Sequence, residues 1–179
     1  PTDDISIFNS KSFLLVGSMY IDAETGYVPI KIAYKTDKVS MQTQLSGISA
    51  SIIISGDDGL LLFPDMKHYY DMPKFMMGEF DMSSLGSDAN AEFVGETTEN
   101  LNGYEVICKT FKDDTSSVKY YMSGDKMLKM TSYDEDGVTE MDLVIDDLTA
   151  NPPDSYFAVP DGYEKGKASD LLDLVGGAQ

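Results

Sequence analysis

The sequence is poor in the residues from which disulfides, metal centres and many active sites are built. Its 179 residues include one cysteine, one histidine and no tryptophan. A single cysteine excludes a disulfide framework within these residues, and we expect Cys108 to be a small buried hydrophobic residue rather than a catalytic thiol. Zinc needs several histidine or cysteine ligands, so this set of side chains cannot supply a zinc site.

Positive charge is scarce as well. The chain has 13 Lys and Arg residues against 31 Asp and Glu residues, which gives a net charge of −18. Phosphate backbones and anionic lipid surfaces attract clusters of basic side chains, and the sequence contains no such cluster. We therefore exclude nucleic acid as a partner. We expect the acidic exterior to keep the protein soluble and to prevent it from adhering to anionic membranes.

Long apolar runs are missing too. No stretch approaches the roughly 18 apolar residues that a membrane-spanning helix needs. The chain begins at Pro1 and not at methionine. We interpret residues 1–11 as the remnant of a leader and expect that an N-terminal lipoprotein signal, which would have tethered the protein to a membrane, has been removed.

Motifs for catalysis are likewise lacking. There is no G-x-S-x-G elbow and no Gly-rich phosphate loop, and His68 has no recognisable catalytic partner in the sequence. Acidic pairs recur in the links between apolar runs, and none follows the ligand order of an EF-hand. Because aspartate favours turns through its own hydrogen bonds to the backbone, we interpret these pairs as turn residues. We predict a non-enzymatic protein without metal or cofactor.

The sequence does contain many short apolar runs separated by polar or Gly-containing links, which is typical of an antiparallel meander of about ten strands. In the last run Met141, Leu143 and Ile145 alternate with acidic residues, which predicts a sheet with one apolar and one wet face. Pro29 lacks an N–H, so it predicts an edge or a bulge at its strand. The predicted strands are Ser12–Asp22, Val28–Lys35, Val39–Leu45, Ala50–Ser55, Leu60–Phe63, His68–Met72, Tyr104–Phe111, Ser117–Ser123, Lys126–Tyr133 and Val138–Ile145.

Two segments do not follow this pattern. Lys74–Gly86 lacks strict alternation and predicts a short helix or an irregular flap. Ala168–Val175 carries apolar residues at helical spacing and predicts a small covering helix within the tail 166–179.

Methionine and tyrosine are abundant, with eleven residues of each. Flexible thioether side chains suit a surface that repacks around variable apolar ligands, and they also serve as ordinary core filling. The sequence leaves both interpretations open for the cluster around the middle segment, which comprises Met66, Met72, Met76, Met77 and Met82. Tyrosines could border an apolar cavity, because the ring can contact apolar atoms while the hydroxyl stays wet; the candidates are Tyr20, Tyr34, Tyr69, Tyr70, Tyr120 and Tyr121.

Several short motifs resemble the superfamily of lipoprotein-sorting carriers, which includes the LolA/LolB carriers and the LppX/LprG-type lipoproteins. The resemblance covers roughly residues 12 to 165. In the C-terminal half it rests on Tyr120-Tyr-Met, Asp125-Lys-Met-Leu-Lys129, Asp136-Gly137, Asn151-Pro-Pro and Phe157-Ala-Val-Pro-Asp-Gly-Tyr163. In the N-terminal half it rests on Leu60-Leu-Leu-Phe-Pro and Tyr69-Tyr-Asp-Met-Pro73.

The resemblance implies an α+β fold. A single curved antiparallel β-sheet, an incomplete barrel, would be covered on its concave face by one or two short helices, and residues 1–179 would form one such domain. The family usually begins with a helix before its first strand, and here only Pro1–Ser10 precede that strand. The cover would then come from Lys74–Gly86 and the tail.

The resemblance also implies a function. The space between sheet and helices would bind a lipid or another apolar small molecule, outside the cytoplasm, in the cell envelope. The alternative is a cell-surface interaction module whose core is filled by its own side chains. The sequence identifies no protein partner. The residues predicted to line the space are Phe13, Leu15, Met19, Ile30, Ile32, Met41, Met76, Met77, Phe80, Met82, Met141 and Leu143.

Overall fold

The computed structural model of the chain describes residues 6–45, 47–77, 91–167 and 169–171. Its dominant feature is a single sheet of twelve strands. The strands are β1 (Ser12–Asp22), β2 (Gly26–Lys35), β3 (Lys38–Leu45), β4 (Ile48–Ser55), β5 (Asp58–Phe63), β6 (His68–Asp71), β7 (Glu92–Leu101), β8 (Tyr104–Lys112), β9 (Ser116–Ser123), β10 (Lys126–Asp134), β11 (Thr139–Ala150) and β12 (Glu164–Lys165).

The strand order is β12-β6-β5-β4-β3-β2-β1-β11-β10-β9-β8-β7. Strands β1 to β6 form an N-terminal meander and strands β7 to β11 a C-terminal meander, and the two meet where β1 pairs with β11. The sheet is curved and unclosed, as expected. It has twelve strands instead of about ten because the sequence pattern did not delimit β7 or β12. The polar residues of β7 hide its alternation, and β12 is only two residues long. Pairing is antiparallel throughout the two meanders, whereas β12 pairs parallel to β6.

Helical structure is sparse among the described residues. α1 (Ser6–Asn9) and α2 (Lys74–Met77) have four residues each, Asp154–Phe157 form a 3₁₀ helix, and residues 169–171 are helical. α2 begins where a short helix or flap was predicted, and the rest of that segment lies outside the described residues. None of the helices in the described part of the chain has the length and apolarity needed to cross a membrane.

The register assigns side chains to two faces. Residues directly opposite each other on neighbouring strands point to the same side of a sheet. One such row crosses β1 to β6 and defines the apolar face; it consists of Leu15, Ile32, Met41, Ile52, Leu61 and Tyr70. The neighbouring row defines what we call the opposite face; it consists of Leu14, Ala33, Ser40, Ile53, Leu60 and Asp71.

The position of Pro29 differs from the expectation. Its strand β2 is an inner strand between β1 and β3, and the pairing with β1 is regular at Pro29. The pairing with β3 begins only at Ile30, opposite Thr43. The N–H that proline lacks is therefore not needed, and neither an edge nor a bulge occurs there. The carbonyl of Pro29 accepts a hydrogen bond from Thr43 Oγ1 at 3.0 Å.

A C-terminal crossover, residues 152–166, covers part of the opposite face. Its 3₁₀ helix packs on β3 and β4, and Asp154 forms an ion pair with Lys35 of β2. The segment then reaches the edge of the sheet as β12, where the Gly166 N–H donates to the Tyr69 carbonyl at 2.8 Å. The chain thus passes from the opposite face around the edge beside β6.

Candidate functional site

The apolar face carries a large buried cluster beneath α1. The Phe8 ring lies edge-on to Phe13 with the centroids 4.9 Å apart, and it stacks on Tyr120 at 6.2 Å. This first cluster spans α1, β1, β2 and β9 to β11. Its members are Phe8, Phe13, Leu15, Ile30, Ile32, Val118, Tyr120, Met122, Met127, Met130, Leu143 and Ile145.

A second, smaller cluster lies at the other end of the apolar face. Leu61 of β5 and Tyr70 of β6 pack there against Leu171 of the C-terminal helical residues. Leu171 is 2% exposed, so the tail covers this end of the sheet. The tail was expected to provide a covering helix over Ala168–Val175. Residues 169–171 are helical and the others lie outside the described part.

Between the two clusters the apolar face is less completely covered. Val39 and Met41 of β3 lie opposite Ile54 and Ile52 of β4, and all four side chains are half-exposed. We call these four residues the apolar strip. Met41 packs against the margin of the first cluster and Ile52 against the second, so the strip connects them.

The methionines beside α2 lie at one end of this strip. Gly59, which pairs with Ile54, is in close contact with two of them: a Cβ added to Gly59 would lie 3.0 Å from Met72 Cβ and 3.3 Å from Met77 Sδ. The Met72 N–H donates to the Gly59 carbonyl at 2.8 Å. The two thioethers are therefore held next to the Ile54 end of the strip.

The predicted lining residues fall into four groups. Phe13, Leu15, Ile30, Ile32 and Leu143 are buried together in the first cluster, and Met19, Met41 and Met141 pack half-buried against it. Met76 and Met77 are half-buried on α2, and Phe80 and Met82 lie outside the described residues.

The prediction omitted three of the four strip residues, namely Val39, Ile52 and Ile54. The run Ile52-Ile53-Ile54 conceals its alternation, because all three residues are equally apolar. Only the register shows that Ile53 points to the opposite face.

The six candidate tyrosines do not border one cavity. Tyr34, Tyr70 and Tyr120 belong to the apolar face, whereas Tyr20, Tyr69 and Tyr121 alternate onto the opposite face. Tyr34 stacks on Phe13 with centroids 5.7 Å apart, which places it at the margin of the first cluster.

The opposite face of the C-terminal meander carries a half-buried charge network. Lys129 Nζ lies 2.9 Å from Asp142 Oδ2, and the Tyr27 hydroxyl donates to the same oxygen at 3.1 Å. Burial acts to lower the pKa of Lys129, but its hydrogen bond to Asp142 and the charge of that carboxylate outweigh burial and raise it. Burial, followed by Asp142, raises the pKa of Tyr27. These groups hold β2, β10 and β11 together and show no geometry for proton transfer to a substrate.

Cys108 lies on the same face and is completely buried, as predicted. Burial, with a smaller effect of Glu99, raises the pKa of its thiol. A thiol that is inaccessible and disfavoured as thiolate is a weak nucleophile.

Two acidic links have the turn geometry that was expected of them. Asp113 Oδ1 accepts hydrogen bonds from the N–H groups of Thr115 and Ser116, which lower its pKa. Asp134 Oδ1 accepts from the N–H groups of Asp136 and Val138. His68 is the first residue of β6, and its Nδ1 lies 2.7 Å from the carbonyl of Met66 in the preceding turn.

Comparison with known proteins gives structural matches only. No protein-family model matches the chain, and no curated protein matches its sequence. An uncharacterized conserved protein from Thermus thermophilus superposes with a TM-score of 0.52 at 12% identity, over 92% of this chain and 94% of that one.

Two looser matches follow. The MucA/MucB complex of Pseudomonas aeruginosa gives a TM-score of 0.43 at 13% identity over 89% of this chain, which spans 62% of the matched chain. A domain from Vibrio parahaemolyticus, described as an outer membrane lipoprotein-sorting protein, gives 0.36 at 16% identity over 92% and 90% of the two chains. The likeness to the Thermus protein supports a shared fold. The two looser matches have TM-scores below 0.5 and carry no argument about family or function.

Proposed function

We propose that this protein is a non-catalytic, extracytoplasmic binding protein that takes a lipid or another apolar small molecule on the apolar strip. The supporting observation is that Val39, Met41, Ile52 and Ile54 lie side by side, only partly buried, between two buried clusters of the same face. Four large apolar side chains side by side form a contiguous surface, and such surfaces mark binding sites more often than single exposed residues do.

The chemistry of the strip suits an acyl chain. Each methylene group transferred from water to an apolar surface contributes about 0.8 kcal/mol, and no charged contact is needed. Met72 and Met77 at the Ile54 end are flexible and polarisable, so they can adapt to chains of different length or branching. The proposal also includes short helical segments that cover the concave apolar face and a tether that anchors the protein to a membrane. The resemblance to lipoprotein-sorting carriers supports both parts.

The second candidate is a cell-surface interaction module without a ligand cavity. It is favoured by the packing of the first cluster, in which Leu15, Met130 and Leu143 are completely buried by neighbouring side chains of the chain itself. That part of the apolar face is filled, so a ligand would have to bind on the strip. The two candidates differ in whether the strip takes a small molecule or the surface of another protein.

A fluorescent fatty-acid probe separates them. We expect the protein to bind the probe, and Met41→Asp to weaken binding at least tenfold because a carboxylate would be placed against the acyl chain. Met66→Asp is the matched control: Met66 lies in the turn before β6, is exposed, and should leave binding unchanged. Native mass spectrometry followed by lipid extraction identifies the natural ligand.

Failure of the wild-type protein to bind the probe or to copurify with lipid would contradict the carrier and favour the interaction module. Equal loss of binding in the two variants would also contradict it, because the strip would then have no special role. Circular dichroism checks that both variants are folded.

A further inference from the structure

The opposite face holds a second candidate site beneath the C-terminal crossover. A cavity of about 120 Å³ separates the crossover from strands β3 to β5. Ser40 and Ser51 line its floor, and Tyr156, Pro160 and Tyr163 line its roof. At about 30 Å³ per water molecule, the cavity has room for roughly four waters or one small polar group.

The floor of this cavity contains one buried hydroxyl without a hydrogen-bond partner among the described residues, that of Ser40. Ser40 is 1% exposed, and its Oγ has no hydrogen-bond partner within the described residues. Ser51, which lies beside Ser40 on the floor, is 8% exposed, and its hydroxyl is available to a molecule in the cavity. A buried hydroxyl without a partner costs free energy, so a buried polar group of this kind points to a molecule that satisfies it.

A groove of about 610 Å³ lies beside the cavity and runs across the strands from β11 to β4. Gln42, Ser51 and Pro64 line both spaces. The volume falls within the range of small-molecule sites, which is about 300 to 1,000 Å³. The groove and the cavity are therefore adjacent, on the side of the sheet away from the apolar strip, and one ligand could contact both.

The groove differs in charge from the rest of the protein. The chain as a whole carries −18, yet the groove is lined by one cation, Lys31, and one carboxylate, Asp146. The remaining polar lining is neutral and consists of Ser18, Gln42, Thr43, Gln44, Ser49 and Ser51. Carboxamides and hydroxyls each donate and accept hydrogen bonds, so this surface matches an uncharged ligand rich in groups that do the same.

The orientation of the groove argues against an extended peptide. Peptides commonly bind a sheet by adding a strand to its edge. This groove crosses inner strands, whose backbone groups are already paired within the sheet. Recognition must therefore use side chains, with Val16, Pro29 and Pro64 providing apolar contact between the polar groups. The C–H faces and hydroxyls of sugar rings present this combination.

We infer that the groove and cavity bind a neutral oligosaccharide, one substituent of which enters the cavity and bonds to Ser40 and Ser51. This site is independent of the apolar ligand proposed above. It adds carbohydrate binding to a protein of the cell envelope and does not depend on whether lipid binds.

The test is titration of the isotope-labelled full chain with neutral oligosaccharides of four to six units, followed by NMR of the backbone and glutamine side-chain amides. We expect shifts concentrated at Gln42, Gln44 and Ser51. Gln44→Ala, at an exposed position, should weaken binding roughly three- to tenfold, which corresponds to one neutral hydrogen bond. Ser40→Ala should weaken binding similarly without loss of thermal stability, because the free protein loses only an unpaired hydroxyl.

Ser123→Ala at the exposed end of β9, remote from the groove in the strand order, is the matched control and should bind like the wild type. Shifts elsewhere on the protein, equal affinities for Gln44→Ala and Ser123→Ala, or binding of neutral peptides in place of all oligosaccharides would each overturn the inference. So would the absence of any shift at millimolar oligosaccharide. The fatty-acid probe should bind equally to Gln44→Ala and wild type, so failure of one proposal is distinguishable from failure of the other.

Discussion

The N-terminal and C-terminal meanders each contribute part of the opposite face of the sheet, and the two parts are buried by different means. On β3 to β5 the residues of this face include Ser40, Ile53 and Leu62, which are buried under the C-terminal crossover. On β8 the residues Val106 and Cys108 are equally buried, although among the described residues no such segment lies over them. Neighbouring side chains of the same face, including Thr97 and Glu99 of β7 beside Cys108, contribute to the cover there.

The charges and rings of the C-terminal meander illustrate that second means. Lys129 pairs with Asp142 and lies 5.9 Å from the centroid of the Tyr121 ring, and Lys119 lies 5.9 Å from that of Tyr133. Long amphipathic side chains can lay their stems over apolar neighbours while their polar ends stay near water.

The two meanders differ in where they leave space for a ligand. Side chains that belong to the sheet can bury their neighbours without a covering segment, as Val106 and Cys108 of the C-terminal meander are buried. A separate segment that crosses a sheet leaves gaps between its own side chains and those below, as the C-terminal crossover does over Ser40 and Ser51. The apolar strip follows the same rule on the other face, because it lies between two clusters that are covered by different segments.

The largest expected effect comes from breaking the joint between the two meanders. A Cβ added to Gly17 of β1 would lie 2.0 Å from the Val144 carbonyl oxygen of β11, and backbone cannot move aside without loss of pairing. We expect Gly17→Ala to lower the free energy of unfolding by about 3 kcal/mol, measured by urea titration. Ser18→Ala is the control, because Ser18 is the next residue and points to the other face. It should change the free energy of unfolding by less than about 0.5 kcal/mol. Similar losses for both variants would contradict close packing of β1 against β11 at Gly17.

The next effect concerns the N-terminal meander and its crossover. A Cβ added to Gly166 would lie 2.0 Å from Tyr70 Cε1, in a ring that is 4% exposed. Gly166→Ala should therefore displace β12 or the ring and destabilise the protein by about 2 kcal/mol. Amide hydrogen exchange should become faster at Glu164, whose N–H donates to the turn before β6, and at Gly166, whose N–H donates to β6. Exchange in β8 should remain slow. Lys167→Ala is the control; faster exchange throughout the sheet would show that the crossover is not a separate cover.

A smaller effect is expected within the charge network of the C-terminal meander. Both side chains of the Lys129–Asp142 pair are less than one-fifth exposed. A double-mutant cycle with Lys129→Met and Asp142→Asn should give a coupling of about 1 kcal/mol. The Lys165–Asp71 pair at the β12 edge is 2.7 Å long but mostly exposed, so the same cycle there should give no measurable coupling. Comparable couplings in the two cycles would contradict the view that burial distinguishes the two regions.

The smallest effect appears only at alkaline pH. Burial raises the pKa of Tyr121. Interactions of its hydroxyl with Tyr133, Cys108 and Glu99 raise the same pKa by smaller amounts. Unfolded tyrosine releases its proton near pH 10, while folded Tyr121 still holds it. The folded state therefore binds more protons above that pH, and stability is lost as the pH rises. Melting temperature measured from pH 8 to 11 should fall less steeply for Tyr121→Phe than for the wild type. Tyr104→Phe, at an exposed position of β8, should follow the wild type; identical slopes for all three would contradict the prediction.

Much of this architecture could be predicted from the sequence, and the reasons are local. Alternation in Met141, Leu143 and Ile145 gave the correct apolar face for β11, and ten strands were placed because turns and alternating runs punctuate the chain. β7 was not delimited, because residues such as Glu96 and Thr97 leave no apolar alternation to detect. Pro29 was misjudged because the sequence does not show where the neighbouring strand β3 stops pairing.

The candidate sites were less predictable. Leu15 and Leu143 were expected to line an open space, and they lie in the filled first cluster; whether they contact a ligand stays a prediction. The sequence pattern did not indicate the groove residues Gln42 and Gln44, because isolated polar residues are common on strands.

By itself the sequence determined the alternation of apolar and polar side chains, the turns between strands and the acidic exterior, because each depends on neighbouring residues or on composition. The tertiary structure alone decided that β1 pairs with β11, where Gly17 had to lack a side chain and which surfaces the C-terminal crossover covers. These features bring together residues distant in the chain, and their packing depends on register and curvature that no local pattern specifies.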